Sequence, residues 1–164
     1  MRYYDTYESP QGRMLLVATD DGIAGIYFER QKYIPKKDKE WRHAPDHAAL
    51  KRARRELGEY FAGRRTRFDV PLDPQGTAFQ RKVWNAIGKV AYGRTLSYGE
   101  LAKRAGEAGS ARAAGAATGR NPIGIIVPCH RIMGANGALT GYAGGIGRKR
   151  ALLALEAGMR PGRR

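Results

Sequence analysis

The sequence contains one cysteine, Cys129, in the segment IIVPCHRIMG (125–134), with Pro128 before it and His130 and Arg131 after it. A cysteine reacts as a thiolate, and an adjacent base or cation favours that form. His130 is such a base. Arg131 does not exchange protons at neutral pH, so we expect it to pin the segment. A lone cysteine is also a common inert core residue, so the segment alone leaves several chemistries open.

The positive charge of the chain is concentrated in its second half. Residues 1–75 carry 15 Lys and Arg against 12 Asp and Glu, whereas residues 76–164 carry 15 against 3. Such a surface favours nucleic acid, because contacts of Lys and Arg with phosphate release condensed counterions. A generally basic, solvated surface is the alternative.

Other features narrow the setting. One cysteine excludes an intramolecular disulfide and favours a reducing cytoplasm, no apolar run reaches about 20 residues, and the first residues do not resemble a secretory signal. His43 and His47 alone make no convincing metal site, and we expect them on the surface or at a helix cap. We therefore predict no metal and no cofactor.

The first half of the sequence predicts a small sheet and one helix. The predicted elements are strands within residues 3–9 and 12–30 with a hairpin at Asp21 and Gly22, a loop over 31–45, a helix from Asp46 that stops near Gly63, and a strand over 68–72. A Pro-Gly boundary near residues 74–76 divides the chain into domains 1–75 and 76–164.

The second half predicts mainly helices. Thr77 is a plausible N-cap, Ser97 and Glu100 have the spacing of a capping box, and a Ser-capped helix of small residues follows in a helix-turn-helix arrangement. A buried strand or extended segment over 123–127 then leads to Cys129. The last helix lies within 148–158, with Leu152, Leu153 and Leu155 for packing and Gly158 as its stop.

The helix of small residues, ARAAGAATG, lacks the long side chains of a major-groove reader. It could lie close to the backbone in a shallow or widened minor groove. Tight packing against a neighbouring helix explains the same composition equally well.

Five motifs of the second half occur in the order and at the spacing of a known family. They are FQRKVWNAI, YGRTLSYGELA, ARAAGAATGRNP, VPCHRI, and TGYAGG followed by KRALLALE. From Thr77 to Gly158 the chain resembles the O6-alkylguanine-DNA alkyltransferases, the methylated-DNA protein-cysteine methyltransferases. The likeness is closest to their bacterial constitutive type.

This resemblance implies repair of DNA by direct reversal. Cys129 would take the alkyl group of O6-alkylguanine, and of O4-alkylthymine, permanently onto sulfur, so each chain would act once. His130 would draw the thiol proton through a water, and Glu156 would hold the imidazole in the required tautomer. Asn121 would brace the turn before the active-site segment.

The resemblance also implies residues that handle the DNA and the substrate base. Arg112 would enter the stack where the damaged base leaves, and Tyr98 would crowd the 3′ phosphate, with its hydroxyl near the leaving atom. The small residues beside Arg112 on the DNA-facing helix are Ala111, Ala113 and Gly115. The expected pocket residues are Tyr142, Ala143 and Gly144, with backbone groups near Ile132 and Ala143 reading the guanine edge.

By resemblance the fold is α+β. A ribonuclease H-like α/β domain precedes a mainly helical winged-helix-like DNA-binding domain that carries the cysteine. The implied partner is double-stranded DNA containing O6-alkylguanine, bound by a monomer that can cluster on it, with no membrane involved. The first domain is expected to scaffold or to contact neighbouring copies. Many relatives have serine where this chain has Ala143, so only the backbone can contact substrate there.

Three other functions fit parts of the sequence. A non-catalytic sensor of alkylated DNA needs no thiol, and Cys129 stands against it. A helix-turn-helix regulator would need clusters of Asn, Gln or Arg on its recognition helix, and this helix lacks them. A cysteine hydrolase would need repeated turnover, whereas the resemblance implies one reaction per chain.

Overall fold

A computed structural model of the chain describes residues 1–106 and 110–158. Its strands are β1 (Tyr3–Ser9), β2 (Gly12–Ala18), β3 (Ile23–Phe28), β4 (Arg42–His43), β5 (Leu96–Ser97) and β6 (Ile132–Met133). Its α-helices are α1 (Ala48–Phe61), α2 (Ala78–Gly88), α3 (Tyr98–Arg104), α4 (Ala111–Gly119) and α5 (Ile146–Gly158). Short 3-10 turns cover Cys129–Arg131 and Ala135–Gly137.

The first half forms a four-stranded sheet in the order β3-β2-β1-β4. The first three strands are an antiparallel meander, as predicted, and β4 adds a parallel edge to β1 inside the segment expected to be only a loop. The strand predicted over 68–72 is wrong: Leu72 makes one isolated bridge to Ile23. That segment instead approaches the β2–β3 turn closely, since a Cβ on Gly22 would lie 2.6 Å from the carbonyl oxygen of Pro71.

Helix α1 packs against β1, β2 and β3 through a stripe of buried residues that includes Leu50, Leu57 and Tyr60. It begins at Ala48 because Nδ1 of His47 accepts a hydrogen bond from the Ala49 amide at 3.2 Å, which confirms a helix-cap role for this histidine. His43 lies on the surface, 3.0 Å from a carboxylate oxygen of Asp5.

Thr77, Ser97 and Ser110 are the N-cap residues of α2, α3 and α4, as predicted, but their side chains cap these helices to different extents. Thr77 and Gln80 form a complete capping box at α2. At α3, Ser97 accepts from the Glu100 amide, which is one of the two hydrogen bonds of the capping box predicted there. Ser110 precedes α4 but makes no side-chain cap bond, because its ψ of 46° differs from the extended ψ of Thr77 and Ser97. The turn between α3 and α4 lies partly outside the described residues.

The segment predicted as a strand over 123–127 is buried but is not a strand. Ile123 bridges Ile26 of β3, and the chain then turns tightly, with the Val127 amide donating to the Ile123 carbonyl at 3.0 Å. Ile125 has a φ of 67°, which shows how sharply the backbone bends before Cys129. Strand β6 follows and pairs in parallel with β5, which ties the active-site segment to the start of α3.

Helix α5 begins at Ile146, two residues before its predicted start, and its described part ends at Gly158. Leu152 is buried, while Leu153 and Leu155 are half-buried. The residues of one continuous apolar core come from both halves of the chain, so the two halves pack as one body. No helix within the described residues is long and apolar enough to cross a membrane.

Candidate active site

Cys129 begins a 3-10 turn and lines an open cavity of about 750 Å³. Its amide donates to the Val127 carbonyl at 2.8 Å, so the preceding turn fixes the position of the thiol. The residue is 7% exposed, and the same cavity is lined by Tyr98, Gly115, Tyr142 and Ala143. The sulfur is therefore sheltered but can be reached from the cavity.

The thiol is not a free thiolate at rest. Burial raises the pKa of Cys129, while a hydrogen bond with Asn121 and the charge of Lys149 act in the opposite direction. A reaction at this sulfur therefore requires a base that takes its proton.

His130, the next residue, has the properties of such a base. Its Nε2 lies 2.7 Å from Oε2 of Glu156, and its Nδ1 is buried without a hydrogen-bond partner among the described residues. If Nε2 carries the proton and donates to Glu156, Nδ1 is left as an acceptor. Burial lowers the pKa of His130, with Glu156 opposing that shift, so the ring is neutral at pH 7.

Glu156 is fully buried on α5 and is surrounded by donors. Oε1 accepts from Arg131 Nε at 2.8 Å and from the Gly93 amide at 3.3 Å. Oε2 accepts from Tyr60 Oη at 2.7 Å and from Arg131 Nη2 at 3.0 Å, besides its contact with His130. Burial alone would raise the pKa of Glu156, but the hydrogen bonds from His130 and Arg131, together with the charge of Arg131, outweigh it and bring the pKa to about 2.

Arg131 is buried, and it also donates to the Val90 carbonyl at 2.7 Å. Its three hydrogen bonds tie the active-site turn to α5 and to the segment that follows α2. This is the pinning arrangement expected for Arg131 from the sequence.

Lys149 is a fully buried cation that the sequence reasoning missed. Its Nζ donates to the carbonyls of Ile132 at 2.6 Å and Thr140 at 2.8 Å, which joins β6 to the loop before α5. Burial lowers the pKa of Lys149, and the thiolate form of Cys129 acts against that shift. The available signal was its spacing, because Lys149, Leu152 and Glu156 share one face of α5 and are all buried.

Asn121 lies between α4 and the active-site turn. Its Nδ2 donates to the Val127 carbonyl at 2.8 Å and its Oδ1 accepts from the Ile123 amide at 3.0 Å, so one side chain spans both ends of the bend around Ile125. This is the position expected for a brace.

The predicted pocket residues do not all lie in the cavity. Tyr142 and Ala143 line it, and so does Tyr98, the residue expected at the 3′ phosphate. Burial raises the pKa of Tyr98, whose hydroxyl therefore stays protonated. Gly144 is buried behind the wall, where a Cβ would lie 2.7 Å from the ring of Tyr142. Ile132 is fully buried, does not line the cavity, and offers its carbonyl to Lys149.

Helix α4 uses its small residues on both faces. Ala114 and Ala117 are buried, and Trp84 Nε1 of α2 donates to the Ala117 carbonyl at 2.8 Å, so tight packing accounts for this face. The residues exposed on the helix are Ala111, Arg112, Ala113 and Ala116. Gly115 is half-buried, and the ring of Tyr98 lies 3.7 Å from where its Cβ would be.

The first half of the chain contributes directly to this site, which the sequence analysis did not foresee. Lys32 and Tyr33 line the cavity, and the Lys32 amide donates to the Ala143 carbonyl at 3.1 Å. The guanidinium of Arg120, after α4, lies 3.8 Å from the ring centre of Tyr33. Nothing in the spacing of the loop around Tyr33 indicated that it reaches the active site.

Comparison with known proteins identifies the family. Residues 2–74 match the ribonuclease-like domain of 6-O-methylguanine DNA methyltransferase, and residues 78–158 match the DNA binding domain of the same family. The methylated-DNA--protein-cysteine methyltransferase of Mycobacterium tuberculosis is 48% identical over 98% of this chain and 96% of its own length. That of Methanosarcina acetivorans is 46% identical over 94% and 97%.

A solved structure of M. tuberculosis OGT in complex with DNA shares the fold. It superimposes with a TM-score of 0.88 at 46% identity, covering 98% of this chain and 96% of the other. The α+β organisation expected from the sequence, with a small sheet domain before a helical DNA-binding domain, is confirmed. With both family models matched and two relatives above 45% identity over nearly the whole chain, this chain belongs to the 6-O-methylguanine DNA methyltransferase family.

Proposed function

We propose that this protein repairs alkylated DNA by direct reversal, transferring the alkyl group of O6-alkylguanine irreversibly to Cys129. The observation that carries the proposal is a thiol that lines an open cavity and is followed directly in the chain by His130, whose ring is paired with the buried Glu156. Relatives that match over nearly their full length are named for transfer from methylated DNA to a protein cysteine.

The chemistry follows from the protonation states. Nδ1 of His130 takes the thiol proton through a water, and Glu156 stabilises the imidazolium that forms. The thiolate attacks the alkyl carbon in line, the S–C bond forms, and the C–O bond breaks with its electron pair going to O6. Tyr98, whose hydroxyl stays protonated, donates a hydrogen bond to the departing guanine oxygen. The guanine anion takes up one proton, equal to the one that His130 removed from the thiol, and leaves as neutral guanine. Because a thioether is a stable product, each chain reacts once.

The damaged base must leave the helix before it reaches Cys129, at a cost of a few kcal/mol. The exposed face of α4, formed by Ala111, Arg112, Ala113 and the neighbouring Gly115, is narrow enough to approach a groove, and Arg112 is the long side chain that fills the gap in the stack. Tyr98 packs against Gly115 of this helix and lines the same cavity, which suits rotation of the nucleotide. The excess of cations in residues 76–164 supplies the affinity for phosphate.

The base is held between Tyr142, Ala143 and Tyr98. Gly144 leaves room for the ring of Tyr142, and Asn121 holds the bend that precedes Cys129. The guanine edge is read by backbone groups of this wall, for which Ala143 is better placed than the buried Ile132. O4-alkylthymine presents the same kind of alkyl carbon and is a second substrate. No metal or cofactor takes part in this scheme.

We place the domain division at residues 75 and 76, between α1 and α2. The protein is taken to act in the cytoplasm as a monomer on double-stranded DNA, with copies able to cluster along it. A non-reacting sensor of alkylated DNA is the second candidate. A cavity-lining thiol that is followed by a histidine with an acceptor nitrogen unpartnered among the described residues serves no purpose in a sensor.

The experiment uses a duplex with one O6-methylguanine inside a restriction site that is cut only after repair. Cutting should reach a plateau equal to the amount of protein added. Cys129→Ser should bind the duplex and leave it uncut. Cutting in large molar excess over protein, or by Cys129→Ser, would rule the proposal out.

A further inference from the structure

Tyr60 belongs to α1, far in sequence from the reactive cysteine. Its hydroxyl nevertheless contacts the catalytic relay, the hydrogen-bonded pair of His130 and Glu156. The side chain is fully buried, and Oη donates to Oε2 of Glu156 at 2.7 Å. From its spacing this residue belongs to the apolar face of α1 and has no assigned chemistry.

The oxygen that Tyr60 contacts is the one that holds His130. Oε2 of Glu156 lies 2.7 Å from His130 Nε2 and accepts from Arg131 Nη2 at 3.0 Å. Three donors therefore share one carboxylate oxygen, and a change in one of them alters the strength of the other two contacts.

We propose that Tyr60 is a positioning residue for alkyl transfer, acting through Glu156 on the orientation and basicity of His130. The inference rests on the proposed function, since it concerns the same proton transfer. It makes the first half of the chain part of the reactive apparatus as well as a scaffold.

The direction of the effect follows from how the carboxylate charge is shared. With Tyr60 in place, part of the charge on Oε2 is taken up by the phenol hydroxyl. Without the hydroxyl, more of that charge acts on His130 and raises its pKa. The ring then stays protonated up to a higher pH, so it begins to accept the thiol proton only at a higher pH. The orientation of the ring also loses one constraint, because Glu156 is held by fewer bonds.

Other ionisable groups face His130 and Glu156, and none of them is altered when Tyr60 is replaced. They are Tyr92 from the segment after α2, Arg131 from the active-site turn, Tyr142 from the loop before α5, and Lys149 from α5. Tyr92 provides a matched control, because its hydroxyl is buried beside the ring of Tyr60 but has no hydrogen-bond partner among the described residues.

The experiment measures the single-turnover rate of methyl transfer from O6-methylguanine duplex DNA between pH 5 and 9. In the plot of rate against pH, the rise on the acidic side is called the acid limb. Tyr60→Phe should shift this acid limb upward by about half a pH unit and lower the plateau rate severalfold, with DNA affinity unchanged. Tyr92→Phe should keep the limb of the original chain. Identical limbs for the original chain and Tyr60→Phe, or equal shifts in both variants, would overturn the inference.

A second variant keeps the question open to test if Tyr60→Phe folds poorly. Replacing Tyr60 by 3-fluorotyrosine preserves its shape and makes the hydroxyl a stronger donor, so the acid limb should move downward. An unmoved limb would count against Tyr60. If the original chain transfers no methyl group at all, the proposed function fails, whereas transfer with unshifted limbs refutes only the role of Tyr60.

Discussion

Replacement of Glu156 by glutamine is the sharpest test of the buried relay. The two side chains have the same shape, but an amide offers one acceptor oxygen where the carboxylate offers two. Oε1 accepts from two donors and Oε2 is within hydrogen-bonding distance of three, so the NH₂ group must face donors in either orientation. Arg131 is also left buried without its counter-charge.

Two routes give the size of the effect. Removing one partner of a buried ion pair costs about 3–5 kcal/mol. Independently, a pKa lowered from 4.5 to about 2 corresponds to about 3 kcal/mol of stability supplied by the charged carboxylate. We therefore expect Glu156→Gln to lower the free energy of unfolding by about 3–5 kcal/mol at pH 7.

The sign of the pH dependence follows from the lowered pKa. The stability supplied by the carboxylate is complete above its unfolded pKa of 4.5 and is lost as the pH falls through about 2. The difference between the two chains should therefore narrow as the pH falls below 4.5.

The assay is urea unfolding followed by tryptophan fluorescence, since Trp84 is buried beside α4. Measurements run from neutral pH to the lowest pH at which both chains fold. The exposed Glu100→Gln serves as the control and should change stability by less than about 0.5 kcal/mol. A loss below about 1 kcal/mol for Glu156→Gln at pH 7, or a difference that does not depend on pH, would refute this account of the relay.

Three further outcomes are expected. Arg112→Ala should slow repair of duplex DNA by about 10- to 30-fold, because the side chain that fills the gap left by the extruded base is lost. The reaction with a free O6-alkylguanine base should change by less than about twofold, and the exposed Arg64→Ala serves as a charge-matched control. Equal losses on both substrates would exclude a role in base flipping. The acid limb of the single-turnover rate should lie below pH 6.5, because burial lowers the pKa of His130, and a limb above 6.5 would contradict a neutral resting imidazole. Lys149→Met should raise the pKa of Cys129 and slow its alkylation by iodoacetamide severalfold at pH 8, and an unchanged rate would show that the charge of Lys149 does not reach the thiol.

Much of the fold could be predicted from local sequence signals. The meander, α1 and the starts of α2 and α3 follow from alternation, helical periodicity and capping residues, which act over a few neighbouring positions. The segment over 123–127 shows where this fails. Its apolar run indicates burial correctly, but Asn121 and the bridge to Ile26 bend it into a turn, and both are contacts that a local pattern does not contain.

In the candidate site, too, residues that are neighbours in the chain could be predicted, and residues brought in by distant packing could not. Cys129, His130 and Arg131 are adjacent in the chain, so their chemistry could be anticipated together. Tyr60 and Lys32 reach the site only because the two halves share one core, and neither differs in its local pattern from an ordinary core or loop residue. Long-range packing of this kind leaves no periodic signal in the sequence.

The central claim is that the sulfur of Cys129 is the acceptor of the alkyl group. The most direct measurement incubates the protein with excess O6-methylguanine duplex DNA and locates the added mass by tandem mass spectrometry of the peptide that contains Cys129. We expect one methyl group per chain, on that sulfur alone, and guanine restored in equal amount. An unmodified Cys129 peptide alongside repaired DNA, or a methyl group on another residue, would contradict the account.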